Sequence, residues 1–157
     1  MASDTEQAAH RQAQIFDHLI EAGQWGRVID VGLEMLCHDP EDVHVHGMVA
    51  VAGLETGDLK LADHHSNVCV RLEPGEAFSH RLRARYLRTR NRHVLAKKSI
   101  LEALQIEPEN ADVWNEYGWN CYQRGDLKAA RDACDKARSL APEDLNIELL
   151  ETSIEGA

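Results

Sequence analysis

Apolar residues return at helical spacing along the chain, and the clearest stretch lies in its last third. Trp114, Tyr117, Gly118 and Cys121 fall at i, i+3, i+4 and i+7, on one face of a helix. Ala130, Cys134 and Ala137 line one face of the segment that follows. Gly125 stands between the two segments and Pro142 closes them. The same punctuation recurs upstream. Pro40, Pro74, Pro108 and Pro142 are 34 residues apart. Proline stops a helix because it has no amide proton and clashes with the preceding turn. Gly23, Gly57, Asn91 and Gly125 keep the same step, at points where a helix would end in the left-handed conformation that glycine, and next asparagine, accept. Val28, Ala62, Ala96 and Ala130 form a third register, small or modest side chains where two helices approach closely.

Three registers agreeing over four copies predict four helix–turn–helix units. Helices are expected near 9–22 and 25–38, 43–56 and 59–72, 77–90 and 93–106, 111–124 and 127–140. The expected division is an N-terminal flank at 1–8, units at 9–42, 43–76, 77–110 and 111–143, and a capping helix at 144–157. Leu145, Leu149 and Ile154 are expected to cover the apolar face of the last unit, since a stack of repeats needs such a cap.

The fourth unit resembles the tetratricopeptide repeat. Trp114-x2-Tyr117-Gly118-x2-Cys121, then Ala130-x3-Cys134-x2-Ala137 and Pro142, follow that family's pattern almost throughout. The second unit keeps Val49, Ala50, Ala62 and Pro74. The third keeps Ala84, Leu87, Ala96, Ile100, Ala103 and Pro108, and the first keeps Ile15, Leu19, Gly23 and Pro40. The resemblance implies an all-α, right-handed α-solenoid of four such repeats plus a C-terminal capping helix. Two departures stand out. Phe16 replaces a small residue, so the first hairpin is expected to open more widely. Arg83 replaces a leucine-like one, so either its stem packs while its head reaches water, or its helix is rotated.

Composition agrees with helix-on-helix packing: 43% of residues are hydrophobic and only 5% aromatic, leaving alanine and small aliphatics to fill the core. The formal charge of −10 disfavours nucleic acid and anionic membranes as partners. The charge is uneven, because residues 77–108 hold eight Lys/Arg against two Asp/Glu. Cys37, Cys69, Cys121 and Cys134 form no C-x-x-C pair and read as buried free thiols of a reducing compartment. MASDTEQAAHRQ has neither the basic nor the apolar region of a leader, and no apolar run approaches the ~20 residues of a membrane span. A cytoplasmic protein is expected.

The resemblance also implies where a partner would bind, since the family's first helices line a concave groove with six positions of each repeat. These include His44, Met48, Val51 and Leu54 in the second unit, Phe78, Arg81, Leu82, Arg85 and Arg88 in the third, and Asn115, Trp119 and Tyr122 in the fourth. Arg81, Arg85 and Arg88 share one face and repel one another unless something anionic meets them. That could be a partner's carboxylate or an acid of a neighbouring helix such as Glu116 or Glu55. Met48, Val51 and Leu54 read equally as core between repeats, and Trp119 and Tyr122 as residues under the cap. Some relatives hold acidic chaperone tails with a clamp of Lys, Asn and Arg. The matching positions here, Ala13, Asp17, Met48, Phe78 and Leu82, do not supply it.

The nine histidines offer no i, i+4 pair, so no metal is expected, and no cofactor motif, phosphate loop or nucleophile–base pair is present. The expectation is a non-enzymatic scaffold or adaptor whose partner is another protein, an extended peptide or helix with apolar and acidic residues. The alternative is a dedicated chaperone of a secreted client, similar to the small tetratricopeptide-repeat chaperones of type III secretion.

Overall fold

The computed structural model describes residues 4–157; of the expected N-terminal flank, residues 1–3 lie outside the described residues. Among the described residues there are nine helices and no strand. They fall into two compact units, divided between Glu73 and Pro74.

The first unit holds α1 (Asp4–Glu21), α2 (Trp25–His38), α3 (Val43–Thr56) and α4 (Leu59–Leu72). α1 begins five residues before the expected helix start. The helices form two hairpins, with α2 packed on α3. Phe16, Leu19, Val28, Val45, Val49 and Ala52 make the core. The first hairpin is the most open of the four, as Phe16 led us to expect. Its ring is buried against α2, where Gly32 leaves the room: a Cβ there would lie 3.1 Å from Phe16 Cε2 and 2.5 Å from Val49 Cγ2. The second hairpin is tight for the converse reason. A Cβ on Gly53 would stand 2.9 Å from the backbone at both Asp58 O and Ala62 N.

The second unit holds α5 (Ala77–Thr89), α6 (His93–Ile106), α7 (Ala111–Gln123), α8 (Leu127–Leu140) and α9 (Leu145–Glu155). α5/α6 and α7/α8 are hairpins, α6 packs on α7, and α9 packs on both α7 and α8. Ala77, Ala84, Ile100, Ala103 and Val113 form one core cluster. Ile147, Leu150 and Ile154 of α9 join Cys121, Ala130, Cys134 and Ala137 in another.

The three registers have direct structural counterparts. Gly23, Gly57 and Gly125 have φ of 63°, 80° and 79°, and Asn91 joins them at 56°. Val28, Ala62, Ala96 and Ala130 are each fully buried. In the cap, Ile154 is buried as expected but the two leucines are not. Leu145 and Leu149 are 76% and 60% exposed, and Ile147 and Leu150 are buried in their place. Asp144 starts the helix by accepting from the amide of Asn146. From there Ile147 lies about 200° round the axis from Leu145, so only one of the two apolar faces can meet the last hairpin. Leu150 points at the space left by Gly118, where a Cβ would lie 2.5 Å from Leu150 Cδ2. Arg138 of α8 secures the cap, donating to Pro142 O at 2.8 Å and to Glu151 of α9 at 2.6 Å.

Candidate functional site

The expected partner-binding residues lie on the first helix of each hairpin, and each unit presents its own set. In the first unit α3 carries His44, Met48, Val51 and Leu54. His44 is exposed, its ring edge-on to Phe16, and its Nε2 lies 3.8 Å from Asp17 Oδ1 on α1. Met48, Val51 and Leu54 are half-buried, and Met48 leans on the core cluster. Each therefore has part of its side chain covered and part open to solvent.

In the second unit the face is built by α5 and α7, which pack together. The arginines of α5 are met from α7. Arg88 donates through Nε to Glu116 Oε1 at 2.5 Å, with side chains only 15% and 8% exposed. Arg81 lies 3.7 Å from Asp112 and stacks over Phe78 at 5.5 Å. At Arg88 and Arg81, therefore, the charge is compensated inside the protein, and Arg88 with Glu116 is part of the framework. Arg85 is half-buried. Trp119 and Tyr122 are half-buried, edge-to-face at 5.7 Å, and rest against the cluster that includes the cap. Arg88 also stands 6.0 Å over the Trp119 ring. Asn115 Oδ1 is enclosed without a hydrogen-bond partner. Leu82 departs from expectation: it is 3% exposed and offers no surface to a ligand, because its side of α5 turns inward with Ser79 and Tyr86. Arg83, whose placement the sequence left open, is half-buried with its guanidinium 4.8 Å from the Tyr86 ring.

Leu149 was assigned to the core, yet it stands 34 residues after Asn115 and 68 after Arg81, and it is exposed. It extends the same register onto α9. A second recurring feature escaped sequence reading altogether. His46 Nε2, His80 Nε2 and Trp114 Nε1 contact the carbonyls of Pro40, Pro74 and Pro108 at 3.0, 2.7 and 2.8 Å. A carbonyl only accepts, so each ring donates an N–H. The 34-residue step was the available signal: histidine replaces tryptophan because both place a ring N–H at the same reach. His46 also meets His65 of α4, Nδ1 to Nδ1, at 2.7 Å.

The cysteines fit a packing role except for Cys37, which is exposed rather than buried. Burial pushes the Cys69 thiol up to about 11 and raises Cys121 and Cys134 as well, which keeps them protonated and poor nucleophiles. Among the described residues no three His, Cys, Asp or Glu side chains converge as metal ligands. No described helix is long and apolar enough to cross a membrane.

Comparison with known proteins bears on this arrangement. The tetratricopeptide-repeat family model matches residues 111–144. No curated protein sequence gives a significant match. Solved structures match well in fold at low identity. TTC0263, a thermophilic tetratricopeptide-repeat protein of Thermus thermophilus, aligns with a TM-score of 0.80 at 17% identity, over 95% of this chain and 82% of its own. PilF of Pseudomonas aeruginosa aligns at 0.78 and 19%, over 97% and 69%. YrrB, described as a tetratricopeptide-repeat protein with an unusual peptide-binding site, aligns at 0.72 and 15%, over 94% and 76%. Residues 111–144 thus match the tetratricopeptide repeat, and the chain, with no strand among its described residues, has the helix-hairpin fold of tetratricopeptide-repeat proteins.

Proposed function

We propose that the chain is a cytoplasmic scaffold or adaptor of four repeats, at 9–42, 43–76, 77–110 and 111–143, capped by 144–157. It takes an extended peptide or a helix of another protein along the faces of its first helices. The observation that carries this reading is the set of half-buried apolar and aromatic side chains on those faces. They are Met48, Val51 and Leu54 in the first unit, and Phe78, Trp119 and Tyr122 in the second. Side chains already held on one side by packing lose little freedom when a partner covers the other, and rigid aromatic anchors dominate interface energies. The peptide-binding site named for YrrB supports the class of ligand. Acidic residues in the partner fit the arginines of α5, although Arg81 and Arg88 would have to exchange an internal carboxylate for an external one.

The test starts from a partner captured from native lysate. Val51→Asp and Trp119→Ala are each compared with the parent, after circular dichroism shows that both fold. At least a tenfold loss of affinity is expected for each, about 1.4 kcal/mol. Parental affinity in both folded variants would remove these faces as the site. Arg88 is unsuitable for the test, since stripping one partner from a buried ion pair destabilises by about 3–5 kcal/mol. Recovery of a single client that aggregates without the protein would instead favour the chaperone role.

A further inference from the structure

The His46–His65 contact is a directed hydrogen bond whose polarity follows from its surroundings. Both rings are buried, 6% and 5% exposed, and their Nδ1 atoms are 2.7 Å apart. One must donate and the other accept. His46 Nε2 lies 3.0 Å from Pro40 O, so it carries the proton of that ring and leaves Nδ1 bare. His65 therefore donates from Nδ1–H, and its own Nε2 is bare. The chain of bonds runs from His65 on α4, through His46 on α3, to the proline turn that precedes α3.

The repeat register isolates this pair. His80 and Trp114 make the same bond to a proline carbonyl. The residues corresponding to His65, however, are Ser99 and Ala133, and neither titrates in the range of a histidine.

We propose that the His46–His65 pair is a proton-operated catch on the second hairpin. Neutral, it fastens α3 to α4. Protonated, it parts the hairpin and disrupts the face that carries Met48, Val51 and Leu54.

The chemistry runs in two steps. A proton taken up at His65 Nε2 places a cation in a buried site. Proton uptake at His46 Nδ1 as well would set two N–H groups head-on at 2.7 Å, and the bond is lost. Burial, then His46, then His64 hold His65 down to about 4, against an ordinary 6.5. The folded form thus resists a proton that the unfolded chain accepts at 6.5. The catch contributes fully above that pH, and its contribution is lost progressively as the pH falls from 6.5 toward 4.

The surrounding charges do not relieve the cost. His64 stands edge-on to His65 at 4.9 Å. Asp42 and Asp39 bind the amides of Val45 and Glu41 in the turn before α3. On α4, Asp63 accepts from Asn67, and Cys69 points to Val43 O with its thiol protonated. On α3, His44 faces Asp17, and Glu55 is exposed. From α2, Arg27, Asp30, Glu34, Cys37 and His38 are all exposed.

The test compares thermal midpoints between pH 7.5 and 5.0 for the full chain, His65→Asn and His80→Asn. Asparagine places an amide N–H near the position of Nδ1 and does not titrate. The parent and His80→Asn should lose at least about 4 °C more than His65→Asn. Parallel curves for all three would overturn the catch. If His65→Asn does not fold, ring-nitrogen NMR and amide exchange on the parent decide. His65 should remain neutral at pH 6, and α3 and α4 should lose protection together as it protonates. Titration of His65 near 6.5 with protection intact would overturn the proposal.

Discussion

At the scale of single residues, backbone conformation and close approach set the costs. Asn91 adopts φ 56° at a turn where the other three units use glycine. Its short polar side chain tolerates the left-handed region, whereas a Cβ with nothing to compensate costs about 1 kcal/mol there. Asn91→Ala should lower stability by roughly that amount and Asn91→Gly should not, as read by urea unfolding at equal m. Gly53 is constrained differently, since a Cβ there meets backbone of the next turn and helix on two sides at 2.9 Å. Backbone cannot rotate out of the way as a side chain can. Gly53→Ala should cost about 1–3 kcal/mol, with the loss confined to the second hairpin. An unchanged midpoint would mean that the hairpin yields more easily than its packing indicates.

At the scale of elements, the hairpins differ in how their helices begin. Asp42, Asp58, Asn110, Asp126 and Asp144 each accept an amide bond at the N-terminus of a helix. Glu76 and Arg92, which precede α5 and α6, make no such bond. Arg92 stands in the register of Asp58 and Asp126, and its cation also sits at the positive end of the helix dipole. Arg92→Asp should therefore stabilise by about 1 kcal/mol, and the gain should appear as slower amide exchange in α6. The capping helix makes a complementary point about faces. Leu150→Ala should cost about 2–5 kcal/mol, because it empties the space beside Gly118. Leu145→Ser with Leu149→Ser should change stability by less than about 0.5 kcal/mol each.

At the scale of the whole molecule, the distribution of charge is arranged internally as much as displayed. Residues 77–108 form a basic island, yet Arg81 and Arg88 face Asp112 and Glu116 of the following repeat. Two of the island's cations are thus offset within the second unit, and because each pair is neutral the net −10 falls on the remaining side chains. The cap closes the apolar end of the second unit. Removing residues 144–157 uncovers the cluster that Ile147, Leu150 and Ile154 complete, each worth ~1.5–3 kcal/mol of burial. The truncated protein should melt well below the parent or aggregate. A monodisperse truncation with an unchanged midpoint would show that α9 is an accessory.

Much of this was legible in the sequence, because repetition turns weak local signals into strong ones. A single proline or glycine marks a turn ambiguously. Four prolines, and three glycines with Asn91, at a 34-residue step determined the hairpins, the left-handed turn at Asn91 and the buried small residues at 62, 96 and 130. Glu116 as the partner of Arg88 was likewise within reach, since opposite charges on neighbouring first helices have few other places to go. What only the tertiary structure decided is which of two equivalent faces is used and what meets across a hairpin. Both faces of α9 carry apolar residues, so spacing alone could not choose Ile147 and Leu150 over Leu145 and Leu149; docking on α7 and α8 chose. Leu82 and Arg85 are three residues apart on one helix, and packing alone made the first core. His46 and His65 lie on different helices, with no local spacing to announce them. Their encounter depends on how α3 is seated against α4, which Gly53 permits by letting the two backbones come within contact.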